Sequence, residues 1–148
     1  VTSPIAAAVA RLADEFGLGV GKAVVDLGAG AGAGERARLL VATGARVIAI
    51  EASPALRAQL TPAIPAVEIV DGTIDALPLP EWTADLVVTA DASVWLRDDA
   101  AVAEVHRVVR PGGGLALIGD APAAWPPRLA VLFTPVEGNG AVSWCRRP

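Results

Sequence analysis

The residues best suited to chemistry are Asp26, Gly28, Gly30 and Gly32, at alternating positions in Val24-Val25-Asp26-Leu27-Gly28-Ala29-Gly30-Ala31-Gly32-Ala33-Gly34. A glycine has no Cβ, so the main chain there can approach a ligand closely. Glu35-Arg36-Ala37-Arg38-Leu39-Leu40-Val41 follows with helical spacing. A helix start offers unpaired N–H groups and a positive dipole end, which suit an anionic or strongly polar ligand. The spacing therefore predicts a strand, a tight turn and a helix. Glu51 stands at the end of the next apolar run, about 20 residues past the glycines, where an acid accepts the ribose hydroxyls of an adenosine. Thr73 and Ile74 follow a third run and are placed to meet an adenine edge. Asp91 and Asp120 end a fourth and a fifth. Ligands of open α/β sheets lie outside such strand ends.

Two cofactor classes use a site of this kind. Gly28, Gly30 and Ala33 fit the GxGxxA fingerprint of a dinucleotide. Asp26, Gly28, Gly30 and Gly32 fit acid-x-Gly-x-Gly-x-Gly, the first motif of S-adenosylmethionine sites. A carboxylate at Asp26 suits a ligand carrying an ammonium and a sulfonium and would repel a pyrophosphate, which favours the methyl donor. Glu51 serves either class. The chain has no tyrosine to serve a dehydrogenase, and it shows no nucleophile triad or metal-ligand spacing. A methyl group on a sulfonium is already activated, so the protein has mainly to align an acceptor and exclude water. No catalytic residue is assigned. Asp91 and Asp120 are the candidates for contact with the acceptor. His106, the single histidine, falls in mid-helix and away from the strand tips.

These residues need a scaffold of alternating strands and helices. The chain has 148 residues, which suits one domain, 1–148. Hydrophobic residues make up 53% and aromatic ones only 4%, so Ala, Val and Leu must do most of the packing. Ser3-Pro4 caps a first helix with Ile5, Val9, Leu12 and Phe16 on one face, ended by Gly17 and Gly19. That helix either covers the cofactor cleft or packs on the sheet. Ala33, Ala37, Leu40 and Val41 form the buried face of the next. Arg46–Ile50 is nearly continuously apolar, as in a parallel strand covered on both sides. Ser53-Pro54 opens a short helix, 55–60, stopped before Pro62. Further strands are expected at 67–70, 85–90 and 115–119, with a helix from Asp98-Asp99 to the stop at Pro111-Gly112-Gly113-Gly114. Trp95 either packs over the cleft or joins the core.

The end departs from this rhythm. Leu129–Phe133 and Ala141–Cys145 read as two strands around Glu137-Gly138-Asn139-Gly140, a hairpin longer than the tightest type. Asp120 to Arg128 is then too short for a parallel crossover of about a dozen residues. An antiparallel, displaced or absent sixth strand follows, with a reduced acceptor region. The net charge of −4 gives no broad field for nucleic acid or an anionic membrane. No apolar run has the length of a membrane span. No signal peptide is read at Val1-Thr2-Ser3-Pro4. The single Cys145 fits a reducing cytoplasm.

In this order and spacing the segments resemble the class I S-adenosylmethionine-dependent methyltransferases, and among them the small-molecule type 11 branch. The matching stretches are Val25–Gly32, Val47–Pro54, Asp71–Pro80 and Glu104–Gly114. The resemblance implies a Rossmann-like, doubly wound, mostly parallel α/β sheet and S-adenosylmethionine as cofactor. It implies that Gly28, Gly30 and Gly32 border the donor, with Asp26 near its methionine part. Glu51 would hold the ribose, Thr73 and Ile74 the adenine, and Asp91 the methionine part or the cleft mouth. A small-molecule methyl acceptor is the implied partner. The alternatives are a non-catalytic S-adenosylmethionine- or adenosine-binding module or degenerate methyltransferase and, less favoured by the residues, an NAD(P)-dependent oxidoreductase.

Overall fold

The computed structural model describes residues 3–29 and 34–148. Gly30, Gly32 and Ala33, singled out above, lie outside the described residues. The elements run α1 (Pro4–Phe16), β1 (Ala23–Leu27), α2 (Gly34–Ala42), β2 (Arg46–Ile50), α3 (Pro54–Ala63) and β3 (Glu68–Val70). They continue through β4 (Ala84–Thr89), α4 (Ala92–Trp95), α5 (Asp99–Val108), β5 (Val109–Ile118), α6 (Pro127–Leu132), β6 (Glu137–Asn139) and β7 (Val142–Arg146). The strands form one seven-stranded sheet in the order β3-β2-β1-β4-β5-β7-β6. Strands β1 to β5 pair in parallel, and β7 is antiparallel to both β5 and β6. The expected doubly wound α/β sheet with a C-terminal hairpin is the observed one.

Strand periodicity assigns the two faces. On β1, Val24 packs with α1, α2 and α3 through Val9, Leu12, Ala37, Leu40 and Leu60. Val25 and Leu27 point to the other face, towards Trp95, Val102 and Val105 of α4 and α5. Asp26 shares the side of Val24, because side chains two apart on a strand lie on one face. A carboxylate is thereby carried into the layer under α2.

The helix starts follow the sequence. The Ser3, Ser53 and Asp98 side chains accept the N–H groups of Ala6, Leu56 and Ala101. Helix α3 continues through Pro62 to Ala63 and does not stop before the proline. The α5 helix ends at Val108, and β5 absorbs Arg110-Pro111-Gly112-Gly113-Gly114 through a register shift against β4.

The C-terminal expectation needs correction. Leu129–Phe133 is not a strand: Pro127 starts the helix α6, which is capped at Phe133. The helix buries Leu129 and Phe133 and leaves Val131 71% exposed, the i, i+4 pattern of a helix. Gly119 to Val136 therefore forms a crossover longer than the dozen or so residues a parallel connection requires. It carries the chain past one strand position to β6, and β7 returns between β5 and β6. The hairpin is also tighter than expected, because Asn139 pairs with Val142 across Gly140 and Ala141 alone.

Candidate functional site

The chosen acids sit at or just beyond the carboxyl ends of the strands, but their surroundings differ. Asp26 is fully buried beneath α2. Its Oδ1 accepts a 2.8 Å hydrogen bond from Nε of Arg36, itself only 5% exposed. A second Arg36 nitrogen, Nη2, donates to the Gly28 carbonyl at 3.4 Å. Oδ2 of Asp26 is buried with no hydrogen-bond partner among the described residues. Burial pushes the Asp26 carboxyl up to about 6, against the lowering charge and hydrogen bond of Arg36. The charge of Glu51 adds to the rise, which brings the acids of β1 and β2 into one electrostatic neighbourhood.

Glu51 is 8% exposed. Its backbone N–H donates to the Val70 carbonyl at 3.0 Å and its Oε2 accepts from the Ser53 N–H at 2.9 Å. Nη1 of Arg57 donates to the carbonyls of Glu51 and Ala52 and pairs with Asp71. The tip of β2 is thus braced by α3.

Gly28 has a φ of +72° and donates its N–H to the Ile50 carbonyl at 2.9 Å. A Cβ at this position would lie 2.5 Å from Nε1 of Trp95. The missing side chain makes room for an indole as well as for the bend. Trp95 is 6% exposed, so it is at once part of the core and a wall of the glycine turn.

Beyond β3, Thr73 bridges Ala76 and is exposed. The Ile74 side chain is committed to the core beside Ile48, Ile50 and Leu77, leaving its main chain for a ligand. This loop is fastened from below. Leu77 N–H donates to Oε1 of Glu104, and Arg107 donates to the Leu77 and Leu79 carbonyls. The Arg107 hydrogen bonds hold the Glu104 carboxyl below its usual range.

Asp91 is exposed at the start of α4 and takes a 2.5 Å hydrogen bond from the Ser93 hydroxyl. It makes no side-chain cap. Its N–H donates to Oγ1 of Thr89, which donates to the Leu27 carbonyl and so ties the ends of β1 and β4 together. His106 packs edge-on against Phe133, and burial lowers its pKa. It sits in the last turn of α5.

Two cavities open at this end of the sheet. One, of about 260 Å³, is lined by Pro4, Ile5, Arg36, Ala90, Ile118, Gly119, Asp120, Gly140 and Ala141. The start of α1 therefore covers the cleft, while Val9, Leu12 and Phe16 pack on the sheet. The other, of about 320 Å³, lies between α4 and the loop after β5 and includes Ser93, Leu96, Arg97 and Trp125.

Arg36 and Thr89 escaped the sequence reading. An arginine at i−4 from Leu40 on a helix reads as a solvated charge. The available signal was an apolar stripe running through it and a buried acid on the preceding strand.

The family follows from comparison with known proteins. Residues 25–117 match the family described as methyltransferase domain, and the chain belongs to that family. An uncharacterized methyltransferase of Mycobacterium tuberculosis is 38% identical over 95 residues, 64% of this chain and 38% of that protein. An uncharacterized methyltransferase-like protein of Schizosaccharomyces pombe is 30% identical over 107 residues, 72% of this chain and 41% of that protein. The chain thus spans less than half the length of these two curated relatives. Among solved structures, a TehB-like SAM-dependent methyltransferase from Corynebacterium glutamicum superposes with a TM-score of 0.71 at 18% identity. The match covers 95% of this chain and 88% of that one, and it shows the fold. No helix among the described residues is long and apolar enough to cross a membrane.

Proposed function

We propose that this chain binds S-adenosylmethionine across the ends of β1, β2 and β4 and directs its methyl group to a small-molecule acceptor. The observation that carries the reading is the pair of buried acids, Asp26 and Glu51, on neighbouring strands flanking the glycine turn. The residues present fit the cofactor's chemistry. Asp26 keeps a buried oxygen without a described partner, Gly28 bends the main chain at positive φ, and Arg36 adds a buried cation. In this reading Glu51 takes the ribose hydroxyls, and Thr73 with the main chain of Ile74 meets the adenine. Gly28, Gly30 and Gly32 border the donor, and Asp91 lies by its methionine part. Asp26 acts through Arg36, to which it is bonded, as well as by its own charge.

When bound, the sulfonium supplies an activated methyl carbon. The chain's own residues supply binding, orientation and exclusion of water. Asp91 and Asp120 are the acids we propose for contact with an acceptor. A cytoplasmic setting fits the lone buried thiol of Cys145.

Calorimetric titration with S-adenosylmethionine, S-adenosylhomocysteine and NAD tests the assignment. The two sulfur compounds are expected to bind one per chain. Binding of NAD alone would reject the reading.

A further inference from the structure

The cavity of about 320 Å³ between α4 and the loop after β5 shares no lining residue with the one beside Arg36. Helix α4 serves both the glycine turn and this cavity. Its Trp95 packs on Gly28, while Ala92 and Leu96 line the cavity. The loop supplies Pro122, Trp125 and Pro126. Trp125 is half-buried, packs against the core on the α5 side of the sheet and also borders a second cavity of about 180 Å³. Proline fixes φ at about −65°, so Pro122, Pro126 and Pro127 restrict the backbone that presents the indole. The end of the loop is tied to α5, because the Arg128 N–H donates to Oδ1 of Asp99 at 2.8 Å. A pre-set aromatic face takes a planar ring with little ordering cost.

The polar groups decide what the ring carries. Ser93 lines the cavity, and its hydroxyl donates to Oδ1 of Asp91. Such a pair can relay a proton. An amine with a free lone pair has no need of one, whereas a phenol, with a pKa of about 10, arrives protonated at neutral pH. Arg97 is the cation among the lining residues, and two acids engage it, Asp75 at Nη2 and Asp98 at Nε. With Asp91, three acids stand against a single guanidinium, so an acceptor bearing its own carboxylate is repelled.

We propose that the acceptor of this chain is an uncharged phenol, held in this cavity with its ring on Trp125 and its hydroxyl at Ser93. The inference rests on the function proposed above. The phenol oxygen bonds to the methyl carbon as the carbon–sulfur bond of the donor breaks, the electron pair of that bond staying on sulfur. The phenolic proton passes to the Ser93 oxygen as the Ser93 proton passes to Asp91. Ser93 thereby touches the acceptor, and Asp91 acts through it.

The test uses two pairs of probes, 4-hydroxybenzamide with 4-hydroxybenzoate and 2-naphthol with 6-hydroxy-2-naphthoate. Each is titrated into the chain saturated with S-adenosylhomocysteine, and NMR follows the indole N–H resonances of the four tryptophans. The Trp125 resonance is assigned by its loss in Trp125→Phe. The neutral phenols are expected to shift it and to bind about fivefold tighter than their acids. Trp125→Ala should weaken the phenols about tenfold, the scale of a lost aromatic contact, and Trp125→Phe should hold within about threefold. Asp75→Asn should narrow the preference over the acids about twofold. With labelled S-adenosylmethionine the phenols should take up methyl, and Ser93→Ala should slow that transfer about 100-fold while phenol binding holds within about threefold. Should Trp125→Ala fail to fold, the wild-type shifts and the exposed Asp75→Asn and Ser93→Ala carry the test. An unshifted Trp125, a preference for the acids, or binding without methyl transfer overturns the phenol site and leaves the cofactor assignment standing. Failure of S-adenosylhomocysteine to bind overturns the cofactor assignment and the phenol site with it.

Discussion

The two ends of the sheet hold their charges in very different states. At the amino end, cavities of about 230 and 410 Å³ are bordered by Lys22, Arg46, Arg110 and Arg146. Each guanidinium there is met by an acid. Arg46 pairs with Glu68 at 2.6 Å, Arg110 with Asp85 at 2.8 Å and Arg146 with Glu15 at 3.0 Å. These pairs are partly or largely exposed and contribute little to stability. At the carboxyl end, Asp26 and Arg36 are buried and incompletely satisfied, and Asp120 stands without a described partner. Cavity size does not separate the two ends, since the amino end has the roomier opening. What separates them is buried charge with capacity left over. Such charge is costly to a fold and useful to a ligand.

The largest expected effect is at Asp26. Asp26→Ala leaves the Arg36 guanidinium buried without its acid, and should cost about 3–5 kcal/mol in denaturant unfolding. Arg110→Gln at the opposite end should cost no more than about 1 kcal/mol and leave ligand binding unchanged. Equal losses would erase the contrast.

The glycines sharpen it. Gly28→Ala must tolerate both a φ of +72° and a Cβ 2.5 Å from a buried indole nitrogen. Gly112, at the amino end, has a φ of +84° but open space where its Cβ would go. Backbone strain of about 1 kcal/mol is expected at Gly112→Ala. Gly28→Ala should exceed it by about 1–3 kcal/mol from displacing Trp95. Thermal unfolding of the two variants reads the difference.

Glu51→Gln should weaken S-adenosylhomocysteine by about tenfold in calorimetry, the loss of roughly one charged hydrogen bond to the ribose. Unchanged affinity would remove Glu51 from the site.

A further effect concerns pH. The folded-state pKa of Asp26, about 6, lies above the ordinary 3.8, so the folded chain holds the proton more tightly than the unfolded one. The stability this contributes is full below about pH 4 and is lost as pH rises through 6. Glu104 on α5, held low by Arg107, works in the opposite sense. Subtracting the Asp26→Asn profile from that of the wild type isolates the Asp26 part. The difference should fall between pH 4 and 6, and a flat or rising difference would contradict the buried environment.

Much of the scaffold was legible in the sequence because strand ends are marked by charge. Asp26, Glu51, Asp91 and Asp120 each follow or end an apolar run, and a doubly wound sheet places all such ends together. Leu129–Phe133 was not legible, because five apolar residues fit a buried strand and a short helix equally well. Pro127 at the first helical position was the discriminating sign. The environment of Asp26 was hidden for another reason. Its burial depends on which face of β1 lies under α2, and Arg36 meets it only when the helix is laid on that face. The packing of Trp95 on Gly28 joins the turn after β1 to the helix after β4, a contact that sequence spacing does not reveal.

The most direct test of the account is a crystal structure of the chain with S-adenosylhomocysteine. The account predicts the ligand along the carboxyl ends of β1, β2 and β4, with its ribose on Glu51. A ligand at the amino end, or one bound with Glu51 and Arg36 both out of contact, would contradict it.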